Sequence, residues 1–128
     1  MFTSDGVFVA KWGAEGAGDG QLNRPSDVAV AFDGSVYVAD SRNHRIQVFN
    51  SGGGWVENWG KVNAAGQGVS GTGNKEFNRP VGVAVAPDGS VYVADTWNHR
   101  IQKFTGSPAS FTVKLAGEPS EEVEIIIV

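Results

Sequence analysis

The 128-residue sequence contains no cysteine, which excludes disulfide bonds, thiolate nucleophiles and thiolate metal sites. No apolar run approaches the ~20 residues of a membrane-spanning helix, so no membrane span is expected. No basic segment followed by an apolar stretch opens the chain, so no secretion signal is predicted within it. The sequence has ten lysine and arginine residues and 14 aspartate and glutamate residues. The resulting net charge of −4 argues against a nucleic-acid partner.

The sequence contains a long internal repeat. Asn23–Phe49 and Asn78–Phe104 align without gaps at an offset of 55 residues and are identical at 21 of 27 positions. Phe2–Gly13 also matches Phe49–Gly60, at an offset of 47 residues, so eight extra residues lie within Lys61–Asn74. Without those eight residues the repeat spacing is 47, close to the ~40–50 residues of a β-propeller blade.

Each repeat is predicted to form short β-strands separated by turns. Asp-Gly pairs beginning at Asp33 and Asp88 favour hairpins, because glycine readily adopts the positive φ of a tight turn. Apolar residues do not recur at helical spacing over any useful length, so the expected fold is all-β with four strands in each repeat. The predicted strands are Val28–Ala31, Val36–Ala39, Ile46–Phe49, Trp55–Trp59, Val83–Ala86, Val91–Ala94 and Ile101–Phe104.

The pattern NRPxxVAVxxDGSVYVADxxNHRIQxF, which occurs twice, resembles the NHL repeat. Asn43-His44-Arg45 and Asn98-His99-Arg100 match the segment that names the family, with arginine in place of leucine. The resemblance covers residues 2–104 and implies a β-propeller, commonly six-bladed in this family, built from four-stranded antiparallel blades. It does not imply one activity, because NHL propellers occur as extracellular sensors, protein-binding scaffolds, RNA-binding platforms and, rarely, metal-dependent lyases.

The expected organisation is two blades in a ring that other copies or missing blades complete. Residues 1–13 are predicted to be the outer strand of a preceding blade, 14–60 the first blade, 61–77 a glycine-rich insertion loop, 78–116 the second blade and 117–128 a β-strand tail. Phe111–Leu115 is a candidate fourth strand for the second blade. Alternatively, the segment from Ser110 onward resembles the first hairpin of an immunoglobulin-like or Calx-β-like sandwich. In either case Val123–Val128 is expected to be a strand that pairs, because five of its six residues are β-branched.

Polar residues that recur in both repeats are interpreted as structural turn residues. A residue that returns in every blade is expected to stabilise the blade, and the two histidines belong to different blades, whereas a metal site needs several convergent ligands. The recurring arginines are expected to meet an acidic partner across the blade boundary. No catalytic residue, cofactor or metal ligand is therefore predicted, and Gly16–Gly20 is not followed by the helix of a phosphate loop. The structural set is Asp33, Asp40, Asn43, His44, Arg45, Asp88, Asp95, Asn98, His99 and Arg100.

Positions at which the two repeats disagree are the candidates for an interaction surface. Ser41-Arg42 becomes Thr96-Trp97, and arginine and tryptophan are enriched at binding hot spots. Ser26-Asp27 becomes Val81-Gly82, and the insertion adds polar residues in a loop. The candidate contact residues are Asp27, Arg42, Lys61, Gln67, Asn74 and Trp97.

The expected function is a non-enzymatic propeller module for protein or ligand binding and scaffolding, in a modular bacterial surface or secreted protein. Two alternatives remain open: an RNA-binding NHL propeller, and a fragment of a metal-dependent propeller lyase. Two blades cannot cover their own flanks, so the chain is expected to associate with itself by strand exchange. A homotrimer with six blades is the favoured assembly, with a filament as the alternative.

Overall fold

The computed structural model describes residues 6–105, 109–114 and 122–127. Its strands form antiparallel sheets, with no α-helix among the described residues. No helix in this part of the chain is long and apolar enough to cross a membrane. The fold class is all-β, as the repeat pattern predicts.

The first repeat forms a complete four-stranded sheet. Its order follows the chain, and each strand runs antiparallel to its neighbour. Three-residue loops at Asp33-Gly34 and the equivalent Asp88-Gly89 close the first hairpins, with Gly34 at φ 90° and Gly89 at φ 88°. The strands are β1 (Pro25–Val30), β2 (Val36–Asp40), β3 (Arg45–Phe49) and β4 (Trp55–Trp59).

The insertion is not a plain loop. It contains the short strands β5 (Lys61–Val62) and β6 (Gly68–Val69), which pair with each other. Asn63 closes the turn between them, because its side-chain oxygen accepts hydrogen bonds from the N–H groups of Ala65 and Gln67, each at 3.0 Å. This side-chain bonding gives the turn its geometry without an Asn-Gly or Asp-Gly pair.

Among the described residues, the second repeat forms three paired strands: β7 (Gly82–Val85), β8 (Val91–Asp95) and β9 (Arg100–Phe104). Further on, β10 (Ala109–Lys114) pairs with β11 (Glu122–Ile127) in a separate two-stranded sheet. Strand β10 therefore pairs with β11 and not with β9, so residues 111–114 do not complete the second repeat. Leu115 and Val128, the last residues of two predicted strands, lie outside the described residues.

The main core lies between the two repeats. Tyr37, Ala39 and Ile46 project from one face of the first sheet, because alternate residues of a strand point to opposite faces. They meet the face of the second sheet that carries Val91 and Val93. The buried members of this core are Ala39, Ile46, Phe77, Val83, Val91 and Val93.

The opposite face of the first sheet has a smaller core. Val36, Val38 and Phe49 are buried there beneath Trp12 and Leu22, which precede the first strand. Residues 7–12 are not assigned to a strand, apart from a single bridge at Phe8. Trp12 packs on Phe49, so the end of the predicted outer strand contacts the first repeat.

Candidate functional site

A buried carboxylate organises the turn of the first repeat. Asp40 ends β2, and Arg45 begins β3 after the 3₁₀ turn Ser41–Asn43, so the two residues face each other in register. The Arg45 Nε donates to Asp40 at 2.7 Å, and the side chains of Asn43 and Gln47 donate to the same oxygen at 2.9 and 3.0 Å. The other oxygen accepts the Asn23 N–H at 2.7 Å. The carboxylate is fully buried, and these four donors compensate its lost hydration.

Arg45 connects this carboxylate to the preceding glycine-rich loop. Its guanidinium donates to the carbonyl oxygens of Ala17, Gly18 and Gln21 at 2.7 to 3.1 Å. The loop therefore presents carbonyl oxygens to a cation, which is the reverse of a phosphate-binding loop. The expectation that the arginine meets an acidic partner across the blade boundary is wrong, because the partner Asp40 belongs to the same repeat.

The second repeat builds the same arrangement around Asp95. Arg100 donates to the Asp95 carboxylate at 2.8 Å and to carbonyl oxygens of residues 72, 73 and 76. Burial by itself would raise the pKa of Asp95, but the hydrogen bonds that it accepts outweigh burial and hold the pKa below its ordinary value. The Arg100 side chain is 29% exposed against 4% for Arg45, so this ion pair is the more open of the two.

Gln47 and Gln102 complete these clusters and were not among the predicted site residues. The Gln47 amide donates to Gln21 O and to Asp40, and Gln102 repeats both contacts with Glu76 O and Asp95. A polar residue that recurs at one position of a strand otherwise rich in apolar residues is the sequence signal that identifies them.

His44 joins the two repeats. It ends the 3₁₀ turn at φ 53°, and its Nδ1 accepts the Arg79 N–H at 3.0 Å. Desolvation, and then the nearby Arg79 charge, lower the pKa of His44, so the neutral acceptor form is favoured. The Arg79 guanidinium in turn lies 4.1 Å from the ring centroid of Trp97, a cation–π contact.

The outer edge of β9 has no strand paired to it among the described residues. Two cavities of about 350 and 400 Å³ flank this edge; Lys75 and Phe104 line both. Trp59, at the end of β4, stacks on Phe104 with ring centroids 4.7 Å apart. The corresponding edge of β3 in the first repeat is covered by β4.

The predicted interaction residues lie in separate places. Arg42 and Trp97 are exposed on equivalent 3₁₀ turns of the two repeats, and Trp97 is 55% exposed despite its contact with Arg79. Lys61 and Gln67 lie on the β5–β6 hairpin, and Asn74 lies beside the free edge of β9.

Asp27 forms part of the contact between the two repeats. Its carboxylate accepts the N–H groups of Val28 and Val83, both at 2.9 Å, while the neighbouring Ser26 hydroxyl donates to Val81 O at 2.8 Å. Within the described ranges, no group of three or more histidine, aspartate or glutamate side chains is placed to hold a metal ion.

Comparison with known proteins identifies the repeats. The NHL repeat family matches residues 22–49 and 77–104. "B-box type zinc finger protein ncl-1" from Caenorhabditis elegans is 47% identical over 47 residues, which cover 37% of this chain and 6% of that protein. "E3 ubiquitin-protein ligase TRIM71" from Rattus norvegicus is 50% identical over 44 residues, 34% of this chain and 5% of that protein.

A longer match joins the chain to "Peptidyl-glycine alpha-amidating monooxygenase A" from Xenopus laevis. It is 28% identical over 170 aligned residues, which cover 96% of this chain and 18% of that protein. The chain thus spans less than a fifth of the length of each of these relatives. The matches and the four-stranded repeat fit a β-propeller binding module. The chain contains two NHL repeats, and NHL repeats form β-propeller blades.

Proposed function

We propose that the chain is a non-enzymatic binding and scaffolding module whose copies complete one another's blades by strand exchange. One observation carries this proposal: the first repeat has four paired strands, whereas the second has three among the described residues. An unpaired strand edge leaves backbone N–H and C=O groups available to a strand from another chain. The two cavities beside β9 offer the space that such a strand requires.

The strand that fits this edge is residues 7–12 of a second copy. By sequence these residues are the equivalent of β4, and Trp12-Gly13 corresponds to Trp59-Gly60. The ring contacts support this equivalence, because Trp12 lies 6.0 Å from Phe49 and Trp59 lies 4.7 Å from Phe104 between ring centroids. The segment is therefore anchored on the first repeat through Trp12.

The pairing of β3 with β4 supplies the register. Trp59 lies opposite Ile46 and Glu57 opposite Val48. Transferred to the second repeat, Trp12 of one copy lies opposite Ile101 of the next, and Ala10 opposite Lys103. A shift of one residue would send every side chain of the donated strand to the wrong face.

Three copies would supply the six blades that are common in this family. The assembly is then a homotrimer of about 40 kDa, formed from chains of 13.5 kDa, while the same contact without closure gives a filament. A closed ring presents Arg42 and Trp97 in alternation on neighbouring turns. We propose these two residues, with Lys61, Gln67 and Asn74, as the surface for a protein or small ligand. The separate β10–β11 hairpin supports a modular parent protein, which we propose to be a bacterial surface or secreted one.

Light scattering of two tryptophan variants tests the exchange. Trp12→Ala removes the anchor of the donated strand, so we expect the molar mass to fall from that of a trimer to that of a single chain. Trp55→Ala is the matched control, because Trp55 lies in a strand that pairs within its own chain and is 42% exposed. A wild-type chain that is monomeric at micromolar concentration contradicts the proposal, as does a Trp12→Ala variant that remains trimeric.

A further inference from the structure

The hydrogen bond between His44 and Arg79 joins the two repeats. The equivalent residues, His99 and Arg24, could form a second bond of the same kind between two copies. His99 has the same left-handed conformation as His44, with φ 56°, and Arg24 the same as Arg79, with φ 52° against 49°. The His99 imidazole has no hydrogen-bond partner among the described residues, and no imidazole in this part of the chain accepts the Arg24 N–H. A hydrogen bond between them would repeat the 3.0 Å bond that joins the two repeats.

Each sheet also has apolar residues that are exposed although their equivalents in the other repeat are buried. Ile101 is 66% exposed on the outer face of the second sheet, although its equivalent Ile46 is fully buried between the repeats. On the opposite flank of the molecule, Val28 and Val30 are 57% and 63% exposed on the first sheet. The equivalent of Val28, Val83, is buried between the repeats. Each flank therefore carries the residues of one half of the existing interface.

A cavity of about 470 Å³ lies next to Arg24, with Trp12 and Arg42 among its walls. The equivalent position beside Arg79 is occupied by the turn that carries His44. The cavity therefore has the location that a His99 turn from a second molecule requires.

We infer that the second repeat of one copy docks face to face on the first repeat of the next, with the His99 Nδ1 of one copy accepting the Arg24 N–H of the other. This inference rests on the proposed strand exchange but concerns a different surface, the sheet faces and turns instead of the β9 edge. The partner is a second copy of this chain, because the two exposed flanks match the two halves of the interface between the repeats. The two flanks differ from each other, so the contact is head-to-tail and generates a ring or a filament.

The junction between copies lacks two hydrogen bonds that the boundary between the repeats within the chain possesses. Asp27 accepts the Val83 N–H across that boundary, but Gly82 stands at the equivalent position of the second repeat. Likewise, the hydroxyl of Ser26 is replaced by the apolar Val81. The assembly is therefore expected to open at the junctions between copies before the two repeats of one chain separate.

Two substitutions away from the β9 edge test the inference, with dissociation measured by sedimentation. Val30→Asp places a charge on the docking face, and we expect the junction to weaken at least about tenfold. Val62→Asp is its control, because Val62 is similarly exposed, at 57%, but lies on the insertion hairpin. Neither substitution removes a core contact within the chain, so both variants should fold.

His99→Asn removes the imidazole and retains a residue that tolerates the left-handed conformation. Loss of one hydrogen bond at each junction should weaken the assembly by about 2- to 10-fold. His44→Asn is the matched change inside the chain and should lower the melting temperature without lowering the molar mass.

The outcomes separate this inference from the proposed function. Weakening by Val30→Asp and His99→Asn, but not by Val62→Asp, supports the docking contact. If Trp12→Ala dissociates the assembly while Val30→Asp and His99→Asn leave it intact, strand exchange stands and the docking contact is refuted. If the wild-type chain is a monomer, both fail.

Discussion

Replacing Asp40 with alanine should be among the most destabilising single changes in this chain. The carboxylate is fully buried and accepts four hydrogen bonds, one of them from the guanidinium of Arg45, whose side chain is only 4% exposed. The variant leaves that cation buried without its counter-charge. Breaking a buried ion pair from one side costs about 3–5 kcal/mol, because the remaining charge is desolvated and uncompensated.

The three carbonyl oxygens that Arg45 also contacts reduce this cost, so the lower half of the range is expected. A loss of about 3 kcal/mol is a large part of the 5–15 kcal/mol that stabilises a typical domain. Asp33→Ala is the control. Asp33 is exposed and accepts one hydrogen bond, from the Ser35 N–H at 2.8 Å, so its loss should cost about 1 kcal/mol.

Urea unfolding at one fixed protein concentration measures both variants, because the stability of an assembling chain depends on concentration. The free energy of unfolding of the Asp40→Ala variant should lie about 2 kcal/mol below that of the Asp33→Ala variant. Equal losses for the two variants would show that the buried cluster does not stabilise the blade, and the structural reasoning would fail.

Three further changes should have distinct effects. Gly53→Ala should destabilise the chain by about 1–3 kcal/mol and alter tryptophan fluorescence. Gly53 has φ 90°, and an added Cβ would lie 2.8 Å from the Trp12 ring. The control Gly52→Ala should leave both the stability and the fluorescence nearly unchanged. Ile46→Ala should cost about 2–5 kcal/mol in urea unfolding, since Ile46 is fully buried in the core between the repeats; a loss below 1 kcal/mol would contradict its assigned packing. Because the pKa of His44 is lowered in the folded chain, the unfolded chain binds the proton more readily. The contribution of His44 to stability is therefore present above the ordinary pKa of 6.5 and is lost as the pH falls through the folded pKa. Thermal melts across this range should show the loss in the wild type and not in His44→Asn.

The strands of the repeats could be predicted because local signals agree. Asp-Gly pairs and apolar segments of four to five residues locate β2 and β3 to within one residue, and Trp55–Trp59 is confirmed as β4. The expected partner of Arg45 across the blade boundary was wrong, because the short turn between β2 and β3 already determines its partner. A turn that joins adjacent antiparallel strands places the last residue of one opposite the first of the next, which pairs Asp40 with Arg45.

Contacts between repeats were less accessible from sequence. The bond from Val83 N–H to Asp27 joins residues 56 positions apart, and only the packing of one sheet on the other brings them together. The β5–β6 hairpin was missed for a different reason: its two-residue strands are too short to show alternation.

Disulfide cross-linking tests the central claim, that each copy donates residues 7–12 to the second repeat of the next. The natural chain has no cysteine, so an Ala10→Cys and Lys103→Cys double variant contains only the designed pair. The proposed register places these positions opposite each other, within the Cα separation that a disulfide bridges. Oxidation should therefore give covalently closed trimers, whereas Lys11→Cys with Lys103→Cys, shifted by one residue to the other face, should cross-link poorly. Strand exchange in this register is contradicted if oxidation of the Ala10→Cys and Lys103→Cys variant gives no disulfide between chains. It is also contradicted if the Lys11→Cys and Lys103→Cys variant cross-links equally well.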